Sequence, residues 1–211
     1  MVMRVNIRQP KIVIIHDDLA EDDPLLVELR DIHGPENVTL KKESQEGLDY
    51  VLANLSEKAI VILDLNFKAN EPSGVDVFDK IRERTSLIYI IVLTAKDLHQ
   101  VAAEDLVKFI NNDALAFIPV TDSYQKVLEA VAKAAHELDT SVASVLEQWI
   151  SRQSDDVKNA PYVTTETGKR YTLANLLDEI RKQTAFGKKM EKNILLLAID
   201  LLTRQKERID D

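Results

Sequence analysis

Four short runs rich in Val and Ile recur along the chain between longer stretches of helical period: Lys11 to His16, Ala59 to Asp64, Leu87 to Thr94 and Ala114 to Val120. A weaker fifth lies near Val38 to Lys41. Runs this short and this continuously apolar suit strands buried on both faces, and their alternation with helices predicts a parallel sheet covered on both sides. Helical candidates are Leu25 to Ile32, Ser44 to Leu55, Val75 to Arg84 and Leu98 to Asn111, with Gly34-Pro35 and Pro72-Ser73-Gly74 punctuating the connections. Residues 1–150 therefore read as α/β.

Beyond Pro119, Thr121-Asp122-Ser123 offers a cap for a helix whose pattern runs without a breaker through Val127, Val131, Leu138, Val142, Val145 and Trp149. At ~1.5 Å per residue, roughly thirty residues would span about 45 Å, which outreaches a domain this size. Ser154 to Arg170, with Pro161, Thr164-Thr165 and Gly168, has the composition of a linker. A helical hairpin is expected after it: Leu173, Leu176, Leu177 and Ile180 mark its first member, Ile194, Leu197, Ala198, Leu201 and Leu202 its second, with Gly187 near the join. The expected organisation is 1–138 as the α/β domain with its last helix running to about 153, 154–170 as linker, and 171–211 as a helical interaction or oligomerisation module.

Charge and composition narrow the function. With 211 residues, 45% hydrophobic and 30% charged, the chain can bury a sizeable core, and the absence of cysteine excludes disulfides, thiolate metal sites and cysteine nucleophiles. A cytoplasmic location is expected, since the first eight residues are too short and polar for a signal peptide and no apolar run reaches the ~20 residues of a membrane span. The net charge of −9 argues against a nucleic-acid-binding surface, and it is unevenly spread: residues 151–211 hold 12 Lys+Arg against 10 Asp+Glu, which leaves −11 on residues 1–150.

In open parallel sheets ligands sit outside the carboxyl ends of the strands. The first run ends in Asp17-Asp18, the third in Asp64 followed by Leu65-Asn66, and the fourth in Thr94-Ala95, so carboxylates and a hydroxyl converge on one edge. Clustered carboxylates repel unless a hard divalent cation with oxygen ligands joins them, and Mg²⁺ is the expected occupant. Magnesium takes one or two carboxylates and phosphate oxygens, which suits transfer of a phosphoryl group to Asp64 as nucleophile. Glu21-Asp22-Asp23 is assigned to a solvated helix start rather than to the metal site. His16 is read as a packed or surface side chain, and His33, His99 and His136 show no ligand spacing.

This order of motifs, Asp17-Asp18, Asp64-Leu65-Asn66, Gly74-Val75-Asp76 and Thr94-Ala95, resembles the CheY-like receiver domain of response regulators in two-component signalling over roughly Lys11 to Leu138. The resemblance implies a doubly wound, flavodoxin-like parallel sheet of order 2-1-3-4-5. It further implies that Asp17 and Asp18 hold Mg²⁺, that Asp64 is the phosphoacceptor and a metal ligand, that Asn66 gives its backbone carbonyl to the metal, and that Thr94 contacts the phosphoryl group. Receiver domains place a Lys before the Pro that ends the fifth strand, and here Phe117-Ile118-Pro119 puts Ile118 there; three residues earlier the usual aromatic is Leu115. Lys96, close to Thr94, is a candidate substitute.

The expected function is thus a signalling protein rather than an enzyme. It would be phosphorylated on Asp64 by a histidine kinase or phosphotransfer protein and act through protein–protein contacts of its helical tail, with homodimerisation around Val142 to Trp149 and the last two helices. Two other readings are a phosphorylation-independent pseudo-receiver scaffold and a transcriptional regulator whose tail uses Lys188, Lys189 and Lys192 on DNA. Cyclase, phosphodiesterase or kinase outputs need longer chains with Gly-rich or multi-acid motifs, and none is present.

Overall fold

A computed structural model describes residues 9–55, 57–95, 101–111, 114–165 and 168–206. The chain forms two compact units, residues 1–140 and 141–211.

In the first unit, β1 (Lys11–Ile15), β2 (Val38–Lys41), β3 (Ala59–Leu63), β4 (Tyr89–Thr94) and β5 (Ala114–Pro119) form one sheet in the order β2-β1-β3-β4-β5. Every pairing is parallel, with Ile12 beside Val38 and Ile60, and Leu63 beside Val92. Helices α1 (Pro24–His33), α2 (Ser44–Ala53), α3 (Gly74–Arg84), α4 (Ala103–Asn111) and α5 (Tyr124–Thr140) connect and cover the strands. The order and strand set match the expectation.

Period-2 alternation sends alternate strand residues to opposite faces. Ile12, Ile14, Ile60, Ile62, Ile91 and Leu93 pack with α1 and α5 residues such as Leu26, Leu29 and Val131. Val13, Ile15, Val61, Leu63, Ile90 and Val92 pack with Leu48 of α2, Val77 and Phe78 of α3 and Phe109 of α4. Burial of each such side chain contributes ~1.5–3 kcal/mol, so both faces together supply the main driving force. Local signals set the helix starts: the Asp23 carboxylate accepts from Leu25 N at 2.9 Å ahead of α1, and Ser73 and Asp76 form a capping box on α3.

The single long helix beyond Pro119 does not form. α5 ends at Thr140 and α6 (Val142–Ser151) begins anew. Thr140 Oγ1 donates to the carbonyl of His136 at 3.1 Å, while Ser141 turns extended and its hydroxyl accepts from Ser144 N at 3.3 Å. This Thr-Ser pair is a stop followed by a cap. Residues 141–153 belong to the second unit, not to a receiver helix running to 153.

Nor is 154–170 an open linker. It holds α7 (Asp155–Asn159) and β6 (Pro161–Thr164), which pairs antiparallel with β7 (Arg170–Thr172). Thr165 N donates to Lys169 O at 2.9 Å, and Gly168 supplies the φ of +82° that the reversal uses. The hairpin leads into α8 (Leu173–Arg181) and α9 (Ala185–Lys206). Leu173, Leu176, Leu177 and Ile180 are buried with Ala143, Ile150 and Tyr171, and Tyr171 stacks on Phe186 at 4.2 Å. Gly187 lies inside α9, where a Cβ would stand 2.3 Å from the Glu179 carbonyl oxygen, so its lack of a side chain lets α9 approach the end of α8.

Among the described residues, no helix is long and apolar enough to cross a membrane.

Candidate functional site

Because the five strands are parallel, their carboxyl ends share one edge, and the order β2-β1-β3 with β4-β5 beyond it places a crevice above β1 and β3. Asp64 follows Leu63 at the end of β3. Its backbone N–H donates to Ile15 O at 2.9 Å, and its Oδ1 accepts from Leu65 N at 2.7 Å, which fixes the carboxylate beside the end of β1. Gly74 opens α3 directly beneath it, with its N–H donating to Leu65 O at 3.1 Å.

One ligand atom from each of His16, Asp17 and Asp64 lies within 4.8 Å of the others. Asp64 and His16 are only 4% and 6% exposed, while Asp17 is half-buried. These three, with Asp18, Asn66 and Phe67, line a cleft of about 450 Å³. Burial pushes the Asp64 carboxyl above its ordinary value, and Asp17 adds to the rise; His16 and the backbone N–H groups of Asn66 and Leu65 oppose it. The resting site thus holds a carboxylate that gains from a cation.

Thr94, at the end of β4, is fully buried, and Asn66 Nδ2 donates to its Oγ1 at 3.4 Å. The expected residues Asp17, Asp64, Asn66 and Thr94 therefore stand around one edge. Asp18 differs: it is exposed, lies on the cleft rim, and is not part of the close cluster, whose third member is His16. The shift arises because β1 ends at Ile15, so His16 and Asp17, rather than Asp17 and Asp18, are the first two residues beyond the strand. Counting from the last apolar residue, as Leu63 to Asp64 is counted in β3, gives this register from sequence.

Ile118 is 6% exposed and points into the apolar face shared with α1 and α5. Leu115 packs at the border of the same cluster, where the β4–β5 register shifts between Ile90 and Ile91. Lys96 lies outside the described residues. Asp23, in the acidic run set aside from the metal site, caps α1.

Asp17 and Asp64 supply the two carboxylates that a hard, partly hydrated cation such as Mg²⁺ commonly takes, whereas the His16 nitrogen is a softer donor.

No family model and no curated protein matches the chain. Solved structures do match its fold. A signal receiver domain from Vibrio parahaemolyticus is 17% identical, with a TM-score of 0.51, covering 69% of this chain and 99% of that one. The N-terminal domain of an uncharacterized protein from Wolinella succinogenes is 18% identical, with a TM-score of 0.50, covering 63% of this chain and 99% of that one. The first unit, five parallel strands in the order 2-1-3-4-5, has the fold of a response regulator receiver domain, and helices continue beyond it.

Proposed function

We propose that this chain is a response-regulator-like signalling protein that accepts a phosphoryl group on Asp64 and acts through protein–protein contacts of its second unit. The observation that carries this reading is the buried Asp64 carboxylate at the end of β3, with Asp17 near it and the cleft open above. A carboxylate oxygen of Asp64 attacks phosphorus, the bond from phosphorus to the imidazole nitrogen of a phosphohistidine donor breaks, and an acyl phosphate remains. A divalent cation, Mg²⁺ in the simplest case, would be held by Asp17 and Asp64, with the Asn66 carbonyl as a further ligand; it supplies charge neutralisation for the incoming phosphoryl oxygens. Thr94 Oγ1 is the hydroxyl within reach of Asn66 and serves as a donor to those oxygens. The donors fitting this chemistry are a histidine kinase or phosphotransfer protein in the cytoplasm.

The second unit is the output. Its last helix carries Leu196, Leu201 and Leu202 at 53%, 55% and 69% exposure, a surface that a second copy of the chain would cover. Lys188, Lys189 and Lys192 give too small a basic patch to favour DNA.

A second reading, a phosphorylation-independent scaffold, draws on Ile118. An apolar side chain directed into the core leaves no ammonium at that position for the phosphoryl oxygens. Intact-mass measurement after treatment with a small phosphodonor and either Mg²⁺ or Mn²⁺, beside size analysis of the same samples, separates the two. One added phosphoryl group, lost in Asp64→Asn, supports the acceptor; no added mass in the wild type supports the scaffold.

A further inference from the structure

We infer that the cleft at the end of β1 and β3 holds its cation through a nitrogen ligand, His16, and so selects a divalent transition-metal ion over magnesium. This rests on the reading of Asp17 and Asp64 as a cation-dependent acceptor pocket and specifies its metal.

Position comes first. The His16 backbone N–H donates to Lys41 O at 3.0 Å, tying the residue to the β1–β2 pair at the point where β1 stops. His16 is only 6% exposed, lines the cleft, and brings a ring nitrogen within 4.8 Å of oxygens from both Asp17 and Asp64. Three donors at this separation need only a small inward movement to share one ion, since metal–ligand bonds of ~2.0–2.2 Å put neighbouring ligands about 3 Å apart. Asp18 N donates to His16 Nδ1 at 3.3 Å, a long and weak bond that orients the ring and is given up at little cost.

Donor chemistry then decides the metal. Magnesium demands oxygen in a near-octahedral shell and dehydrates reluctantly, so a buried imidazole gives it nothing. Zinc, manganese, iron, cobalt and nickel accept imidazole and carboxylate together. Two carboxylates balance a doubly charged cation, and the neutral imidazole adds a ligand without adding charge.

The test uses the full-length chain, stripped of metal and loaded with Mn²⁺, which enters oxygen-only and mixed sites alike. Pulsed electron paramagnetic resonance reads nitrogen directly bound to manganese. Directly coordinated ¹⁴N in the wild type, absent from manganese-loaded His16→Asp, is expected. His16→Asp should also weaken Zn²⁺ binding at least about tenfold while strengthening Mg²⁺ binding. Manganese bound without nitrogen coupling overturns the inference and leaves the carboxylate pocket intact. No manganese binding by the folded wild type overturns both.

Discussion

The carbonyl oxygen of Asp64 leaves no room for a side chain on Gly74: a Cβ there would stand 2.0 Å from Asp64 O and 2.5 Å from Leu65 Cα. The first residue of α3 therefore seats directly on the turn that presents the Asp64 carboxylate, the proposed acceptor. Gly74→Ala must push α3 and that turn apart, at a cost of about 1–3 kcal/mol. We expect a lower melting temperature and a loss of cation affinity and phosphoryl incorporation larger than the stability loss alone explains. Incorporation at the wild-type rate in folded Gly74→Ala would disconnect this contact from the site.

Asp64 carries a second prediction. Its folded-state pKa is raised above the ordinary carboxylate value, chiefly by burial. The folded protein thus binds that proton more tightly than the unfolded chain, and stability falls as pH rises through the interval between the two values. Asp64→Asn removes this ionisation, so the cation-free variant should melt above the cation-free wild type at neutral pH. Adding cation at ~100 times its Kd should stabilise the wild type by about 2.7 kcal/mol and the variant much less. Differential scanning in the presence and absence of cation measures both; a variant that melts below the cation-free wild type contradicts the burial cost.

The sheet was legible because its signals are local and redundant: each strand is a run of Val and Ile, and each helix between them has its own apolar stripe. The carboxyl edge of the sheet was legible for the same reason, since Asp64 and Thr94 stand at the ends of such runs. Three features were not. The Thr140-Ser141 break carries no Gly or Pro, and is marked instead by the hydrogen bonds of its two hydroxyls and the extended backbone of Ser141. His16 resembles an ordinary strand residue when the first run is counted through to the acids instead of to its last apolar residue, Ile15, and that shift of one exchanges the cluster member His16 for the exposed Asp18. The β6–β7 hairpin, with Pro161 in a short strand, read as linker by composition.

Glu147 and Arg181 form the buried ion pair of the second unit, 2.6 Å apart with side-chain exposures of 10% and 19%. Burial nonetheless pushes the Glu147 carboxyl above its ordinary value of 4.5, and the Arg181 guanidinium only partly offsets this. The stability that this carboxyl contributes is therefore full below about pH 4.5 and declines as pH rises through the folded-state value. Glu147→Gln should flatten that decline in melts of the full chain. Arg181→Met, which strands the carboxylate, should cost about 3 kcal/mol at neutral pH. A pH slope unchanged by Glu147→Gln would place the titrating group elsewhere.

Only the first turns of α9 pack within the second unit, where Phe186 meets Tyr171 and Gly187 meets α8. The segment from Leu195 to Leu202 interrupts its apolar residues with Asp200 alone and leaves all seven of them exposed. A helix apolar on nearly every side is stable in water only when another surface covers it. A second copy offers an equally apolar helix, and the expected outcome is a dimer by light scattering at micromolar concentration. Paired Leu196→Gln and Leu201→Gln changes retain helix propensity while removing two side chains worth about 1.5–3 kcal/mol each when buried. They should weaken dimerisation at least tenfold without altering phosphoryl incorporation on Asp64. A wild type that remains monomeric at high concentration would assign this face to a different partner.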